Sequence, residues 1–401
     1  MKAYHFRFIL LILIVLGSRS SFAVCSQTIS PGAAVASVIS SAAAGTTICL
    51  SSGSYGSLTF DSIVKSSDVT IESASGRTAS LDLNINGSNH LKFQNLTILG
   101  LQLSGGNTKN ITIRTSTLTG QAVLDMRNNS NANILIDGNT FDGISVCGGC
   151  YEGRLQIHQP GALGSQPVGV KVTNNHFGGA GESDGIQIGA YGVVVGPGNE
   201  FTGIVQSGYS RHVDSIQLYG QSHTTITGNY FHGNDVNIMA PDGGDTEVVT
   251  NNIFVGGSYV QSVQFGSHNN NMFSHNTVIN VDVQMDAKNG EPASANFLVQ
   301  NNIMINSSFD TNRSDGSAAC TNCTYSFNLF QSSGDARGTN NVIGTPTFVG
   351  GATPSTWAGY RLTSSSLGYQ SGADGNDRGT NYYGPSTLPT SLAPPTNLRV
   401  Q

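Results

Sequence analysis

The sequence predicts an all-β chain wound into a right-handed parallel β-helix solenoid of about ten coils, with N-terminal and C-terminal caps. Three observations predict it. Fifty glycines, only 10% charged residues and many Asn, Ser and Thr suit short strands joined by tight turns rather than helices. An Asn-x-Phe phrase recurs at solenoid spacing. A second phrase, apolar-polar-apolar, recurs between its copies.

The first 23 residues have the form of an export signal. Lys2 and Arg7 precede the apolar run Phe8 to Leu16, and Ser21-Phe22-Ala23 offers a small-residue cleavage site. That run is too short to span a bilayer, and no later segment approaches the ~20 apolar residues a span requires. Cys25 is not preceded by a lipobox, so a soluble, secreted monomer is expected. The net charge of -6 and the lack of basic runs argue against a nucleic-acid partner. Six cysteines suit an oxidising compartment. Cys25 and Cys49 flank the first apolar segment and are expected to pair. Cys147-Gly-Gly-Cys150 and Cys320-Thr-Asn-Cys323 suit local disulfides, with zinc as the other reading of such pairs.

Residues 24–54 are expected to cap the open N-terminal end, because uncovered strand edges invite aggregation. The solenoid follows over 55–345. Its phrase appears at Gln94-Asn95-Leu96, Ser116-Thr117-Leu118, Asn139-Thr140-Phe141, Asn175-His176-Phe177 and Asn199-Glu200-Phe201. It continues at Asn229-Tyr230-Phe231, Asn252-Ile253-Phe254, Asn276-Thr277-Val278, Asn302-Ile303-Met304 and Asn328-Leu329-Phe330. The spacings are 22, 23, 36, 24, 30, 23, 24, 26 and 26 residues. No single coil can bury its apolar side, but stacked coils can, with backbone hydrogen bonds running along the axis at about 4.8 Å per coil. The repeated asparagines are expected to form an internal amide ladder. Leucine-rich repeats need a Leu framework that is absent here, and propeller blades need about 40–45 residues. Residues 346–385 are expected to form the C-terminal cap. The tail 386–401, which resembles the opening of fibronectin type III modules, is expected to be a disordered remnant.

The second phrase reads Leu101-Gln102-Leu103, Leu124-Asp125-Met126, Leu155-Gln156-Ile157, Ile186-Gln187-Ile188 and Ile216-Gln217-Leu218. It goes on through Val236-Asn237-Ile238, Val263-Gln264-Phe265 and Val283-Gln284-Met285. Strand alternation turns the central polar residue outward. Stacking then gives an external row of Gln102, Asp125, Gln156, Gln187, Gln217, Asn237, Gln264 and Gln284. Two positions further on, Arg127, His158, Tyr219, Met239 and Asp286 also face outward; two before, so do Arg154 and Ser215. Asp184 and Asp214 stand at the incoming turns. The two longest repeat intervals insert loops beside this face, which concentrates the expected chemistry on its middle coils. Amides, charges and an aromatic on one face suit a polysaccharide. The bland alternative is a glutamine ladder that only bonds to itself.

Val172-Thr173-Asn174-Asn175-His176-Phe177 and Thr225-Ile226-Thr227-Gly228-Asn229-Tyr230-Phe231 resemble coils of the pectate lyase-like right-handed β-helix superfamily. His212-Val213-Asp214-Ser215-Ile216-Gln217 is similar to a stretch found in many bacterial members of unassigned activity. The resemblance covers residues 55–340 and implies the fold more strongly than any one activity. The polygalacturonase set lacks its Gly-His-Gly and Arg-Ile-Lys parts here, and the Asp-Pro-His motif of alginate epimerases is absent. A calcium site, as in calcium-dependent pectate lyases, would have to use Asp184 and Asp214.

The activity expected is β-elimination on an acidic, uronate-containing polymer, which needs a carboxylate neutraliser, a base and an acid. Arg154 or Arg211 would neutralise, His212 oriented by Asp214 would take the proton, and Tyr219 would return one. His158 is the second base candidate. Gln156, Asp184, Gln187, Gln217, Asn237, Gln264 and Lys288 would bind substrate. Hydrolysis by Asp184 and Asp214, about 5–8 Å apart on adjacent coils, is the second enzymatic reading. Binding without catalysis is the third.

Overall fold

A computed structural model describes residues 24–146, 152–159, 166–179, 181–206, 213–220, 222–257 and 261–384. The export signal, the tail, the Cys147/Cys150 pair, Arg211 and His212 lie outside the described residues. The chain forms a parallel β-solenoid of about 12 turns, slightly more than the sequence predicts. Each winding contributes two to four strands. In one winding these are Asp184–Gly189, Val194–Val195 and Glu200–Thr202. The first belongs to what we call the glutamine face, the second to a 13-stranded sheet, and the third to the Asn-x-Phe face. In the N-terminal coils one long strand, Thr97–Ser104, serves both outer faces by pairing with Thr117–Leu118 and with Ala122–Asp125. In the C-terminal half a four-stranded sheet adds a further corner.

The asparagine column lies at the turn before the Asn-x-Phe strands and is fully internal. The Nδ2 of Asn252 donates to Asn276 Oδ1 at 3.1 Å and to the Ile226 carbonyl at 2.9 Å. Its Oδ1 accepts the backbone N–H of Asn229 at 2.9 Å. Asn139, Asn175, Asn199, Asn229, Asn276 and Asn302 hand their amides on in the same way, and Asn328 closes the line. The turn places backbone groups where no strand can pair them, so a side-chain amide of fixed length must do so. Beside this column Phe141, Phe177, Phe201, Phe231 and Phe254 stack face to face at 4.6–4.9 Å between successive rings, one coil spacing apart.

The two ends differ. At the N-terminus the single described α-helix, Val35–Ser41, buries Val35 and Ile39 over the first coil, and a disulfide joins Cys25 to Cys49. The C-terminal segment instead runs back along the side of the solenoid. Arg378 donates to the Asn328 carbonyl at 2.7 Å, and Thr380 to the Asn251 carbonyl at 2.8 Å. Gly198 and Gly228 leave the room that Tyr382 occupies. The strap thus crosses coil after coil toward the middle of the molecule. Cys320 and Cys323 are disulfide-bonded. No described helix is long and apolar enough to cross a membrane.

Candidate functional site

Backbone register defines the outward row. Gln102 pairs with Val123, Val123 with Gln156, Gln156 with Gln187, Gln187 with Gln217, Gln217 with Met239, Met239 with Gln264, and Gln264 with Gln284. Two expected members are therefore displaced. Asp125 stands one row further on, in register with His158. Asn237 stands one row back, fully buried, donating to Ser262 Oγ at 2.9 Å. Both strands alternate over five residues, so each offers two candidate frames, and the more polar one is the wrong one. Val123 and Met239 interrupt the amide row.

Cover sets the middle coils apart. Ala122–Asp125 alternates between buried and half-buried residues, whereas every residue of Gly153–His158, Asp184–Gly189 and Asp214–Leu218 is buried. Gln156, Gln187 and Gln217 are included, and Gln187 donates its amide to Gln217 Oε1. Gln264 bonds the Gln261 carbonyl at 2.8 Å.

Arg154 does not face a substrate. Its guanidinium is wholly buried and donates to the carbonyls of Phe141 at 3.0 Å, Gly179 at 3.1 Å and Gly178, and to Ser183 Oγ at 3.3 Å. Burial pulls its pKa down to about 10, opposed by Asp142 and Asp184, so it stays charged as a tie between turns. Asp184 and Asp214 are stacked and buried, and Asp184 Oδ1 accepts the Asp214 N–H at 2.8 Å. A carboxylate engaged in the backbone below the surface is poorly placed for hydrolysis. Among the described residues no group of three or more His, Cys, Asp or Glu could hold a metal ion. Lys288 is bound to Asp242 at 2.9 Å.

What the register does bring together is the next row: Asp125, His158, Gly189 and Tyr219. His158 lies between Asp125 below and Gly189 above. Its Nε2 is 4.0 Å from Asp125 Oδ1. Gly189, itself buried, adds no side chain between its two neighbours in the row. A Cβ there would sit 3.6 Å from His158 Cβ and 3.6 Å from Tyr219 Cδ1. His158 is 8% exposed and Tyr219 62%, so the row passes from covered to open. Burial lowers the His158 pKa, Asp125 opposes that shift and Arg127 adds to it, which favours the neutral ring. Arg127 reaches outward and bonds Asp125 through its backbone N–H at 3.0 Å and its guanidinium at 3.3 Å. Just beyond the row, Tyr191 and His223 pair their rings at 4.5 Å.

A second cluster on the Asn-x-Phe face escaped the sequence reading. His176 Nε2 is 3.3 Å from Asp142 Oδ1, and its Nδ1 is 3.0 Å from Glu200 Oε2. Glu200 Oε1 is 2.9 Å from His232 Nε2. Gly178 makes this reach possible, since a Cβ there would lie 2.7 Å from His176 Nε2. Hydrogen bonding to Glu200 raises the His176 pKa, and the two histidines hold Glu200 down at about 2. The signal lay in two positions of the phrase, its middle residue (His176, Glu200) and the residue after its Phe (Asp142, His232), each stacked from coil to coil.

No family model and no curated protein matches the sequence. The fold is nevertheless shared with a solved structure. The PL6 family alginate lyase AlyGC superposes with a TM-score of 0.55 at 15% identity over 92% of this chain. The chain spans 60% of that enzyme's length. A PL6 family polysaccharide lyase from Pseudopedobacter saltans gives 0.49 at 11% identity, covering 80% of this chain and 91% of its own. The pectate lyase Pel9A gives 0.38 at 14% identity, covering 87% and 92%. At these identities the likeness speaks for the fold.

Proposed function

We propose that the chain is a polysaccharide lyase acting on a uronate polymer, with its chemistry on the Asp125–His158–Gly189–Tyr219 row. The observation that carries this reading is the approach of a buried imidazole and an exposed phenol to Gly189 from either side. In β-elimination His158 takes the C5 proton onto a ring nitrogen, the C4–C5 double bond forms, and the C4–O bond breaks. Tyr219 gives its hydroxyl proton to the leaving oxygen. Arg127, the exposed cation beside Asp125, takes the carboxylate-neutralising role that Arg154 cannot fill. A base works best when its pKa is near or below the working pH, and burial supplies that shift. The ring pair of Tyr191 and His223 offers a stacking surface for a neighbouring sugar.

The reading is tested by following the ultraviolet absorbance of unsaturated product on alginate, pectate and glucuronan. His158→Ala and Tyr219→Phe should each lower kcat by about 100-fold or more, the range for a lost acid or base. Arg127→Ala should act mainly on KM. Absence of product across the panel with folded protein would overturn the proposal. If His212→Ala silences the protein and His158→Ala does not, the base is His212.

A further inference from the structure

The N-terminal half of the glutamine face carries a depression that the elimination chemistry does not use. Its volume is 390 Å³, within the roughly 300–1,000 Å³ of small-molecule sites. Asp82, Asn84, Gln102 and Gln121 line it, with Val123 as an apolar side chain and Gly100 at its centre. Gly100 pairs with Asp82 on the preceding coil, and the next coil brings the Gln121 carbonyl beside it. A Cβ at position 100 would lie 3.1 Å from Asp82 Oδ1. At Gly100 the row carries no side chain, which leaves room beside Asp82. Its lining holds one carboxylate and no cation.

We infer that this depression is a distal subsite that reads one pyranose unit through its hydroxyls, not through a carboxylate. The inference rests on the lyase reading above for its place on the polymer track. Asp82 can accept sugar hydroxyls in charge-assisted hydrogen bonds, and the amides of Asn84 and Gln102 can donate and accept. Val123 meets the C–H face of a ring. A uronate carboxylate seated here would face Asp82 with nothing to neutralise it, which costs both repulsion and desolvation. The unit bound is therefore neutral, or turned so that its carboxylate points to solvent. Continuity with the candidate site is structural: Gln121 donates to the Gly153 carbonyl at 2.8 Å, and Gln102, Val123 and Gln156 follow in register. Three coil spacings, about 14 Å, separate Gly100 from the strand of Gly189. A chain laid along the axis reaches both.

Calorimetric titration of the full chain carrying His158→Ala, with neutral and with uronate hexasaccharides of matched linkage, tests this without turnover. Adding Gly100→Leu fills the depression and should weaken neutral-sugar binding about tenfold, the loss of one or two hydrogen bonds to a charged group. Asp82→Asn should weaken the neutral ligand and strengthen the uronate one. Gln102→Ala, at an exposed position that leaves the backbone untouched, should weaken the neutral ligand about threefold and serves if Gly100→Leu does not fold. Unchanged binding by a folded Gly100→Leu protein, or no neutral-sugar binding by the parent, overturns the inference. In the otherwise native protein, Gly100→Leu should raise KM on polymer by a larger factor than KM on short substrates. Loss of the subsite effect with product still formed rejects this inference alone; binding loss without any product rejects the lyase reading alone.

Discussion

The asparagine column and the glutamine row are both ladders of amides stacked one per coil, yet they behave differently. From Asn139 to Asn328 each column member bonds the next at nearly constant distance, and each is buried. The glutamine row is interrupted by Val123 and Met239, and only Gln187 and Gln217 join directly. The column satisfies backbone groups at a turn, so one residue type at one spacing solves a problem that recurs every winding. In the row only Gln264 bonds a backbone group among the described residues, so its members are freer to vary with what lies outside. Regularity marks scaffold here, and irregularity marks the face available for chemistry.

The largest expected effect follows from breaking the column. Asn252→Ala strands the Asn229 N–H and the Ile226 carbonyl in the interior and should cost about 3–5 kcal/mol in chemical denaturation. A loss below about 1 kcal/mol would mean that the column is ornament. Arg154→Met comes next. It leaves the carbonyls of Phe141, Gly178 and Gly179 without their buried donor, for about 2–4 kcal/mol. A guanidinium serving substrate rather than scaffold would instead leave the melting temperature alone and change KM.

The same contrast explains what could be read from the sequence. The column, the stacked phenylalanines and the Cys25–Cys49 bond were legible because each rests on spacing alone. The row was legible only where a single frame fits, as at Leu155-Gln156-Ile157. At Ala122–Asp125 and Val236–Ala240 two polar or outward positions compete, and only the partner strand decides. Arg154 looked outward by alternation, but its long side chain bends into a cage of carbonyls that no local pattern announces. Asp142, His176, Glu200 and His232 lie 24 to 34 residues apart in successive coils, joined through a space that Gly178 leaves empty. A glycine's silence is hard to hear in one sequence.

Gln187→Ala sharpens the comparison from the other side. Its amide bonds only Gln217 among the contacts resolved, and no backbone group depends on it. Denaturation should register a loss of about 1 kcal/mol or less, several times smaller than at Asn252. Equal losses at the two positions would erase the distinction between scaffold and face.

The smallest effect is a pH dependence, and its two limbs can be told apart. His176 has its pKa raised by Glu200 above the ordinary value of 6.5. Its stabilisation is complete below that value and is lost as pH rises through the raised one. His158 has its pKa lowered by burial, so its unfolded form binds the proton more readily and stability falls as pH drops below 6.5. Glu200, held at about 2, adds stability that persists until well into acid. Because the His176 cluster is more than a third exposed, solvent screening holds its limb to less than about 1 kcal/mol. Thermal melts from pH 5 to 9 should therefore show a shallow decline on the alkaline side that Glu200→Gln flattens. His158→Ala should remove only the acidic limb. An alkaline decline that survives Glu200→Gln would show that the outer-face histidines carry no linkage, and that even this well-bonded cluster is surface without thermodynamic weight.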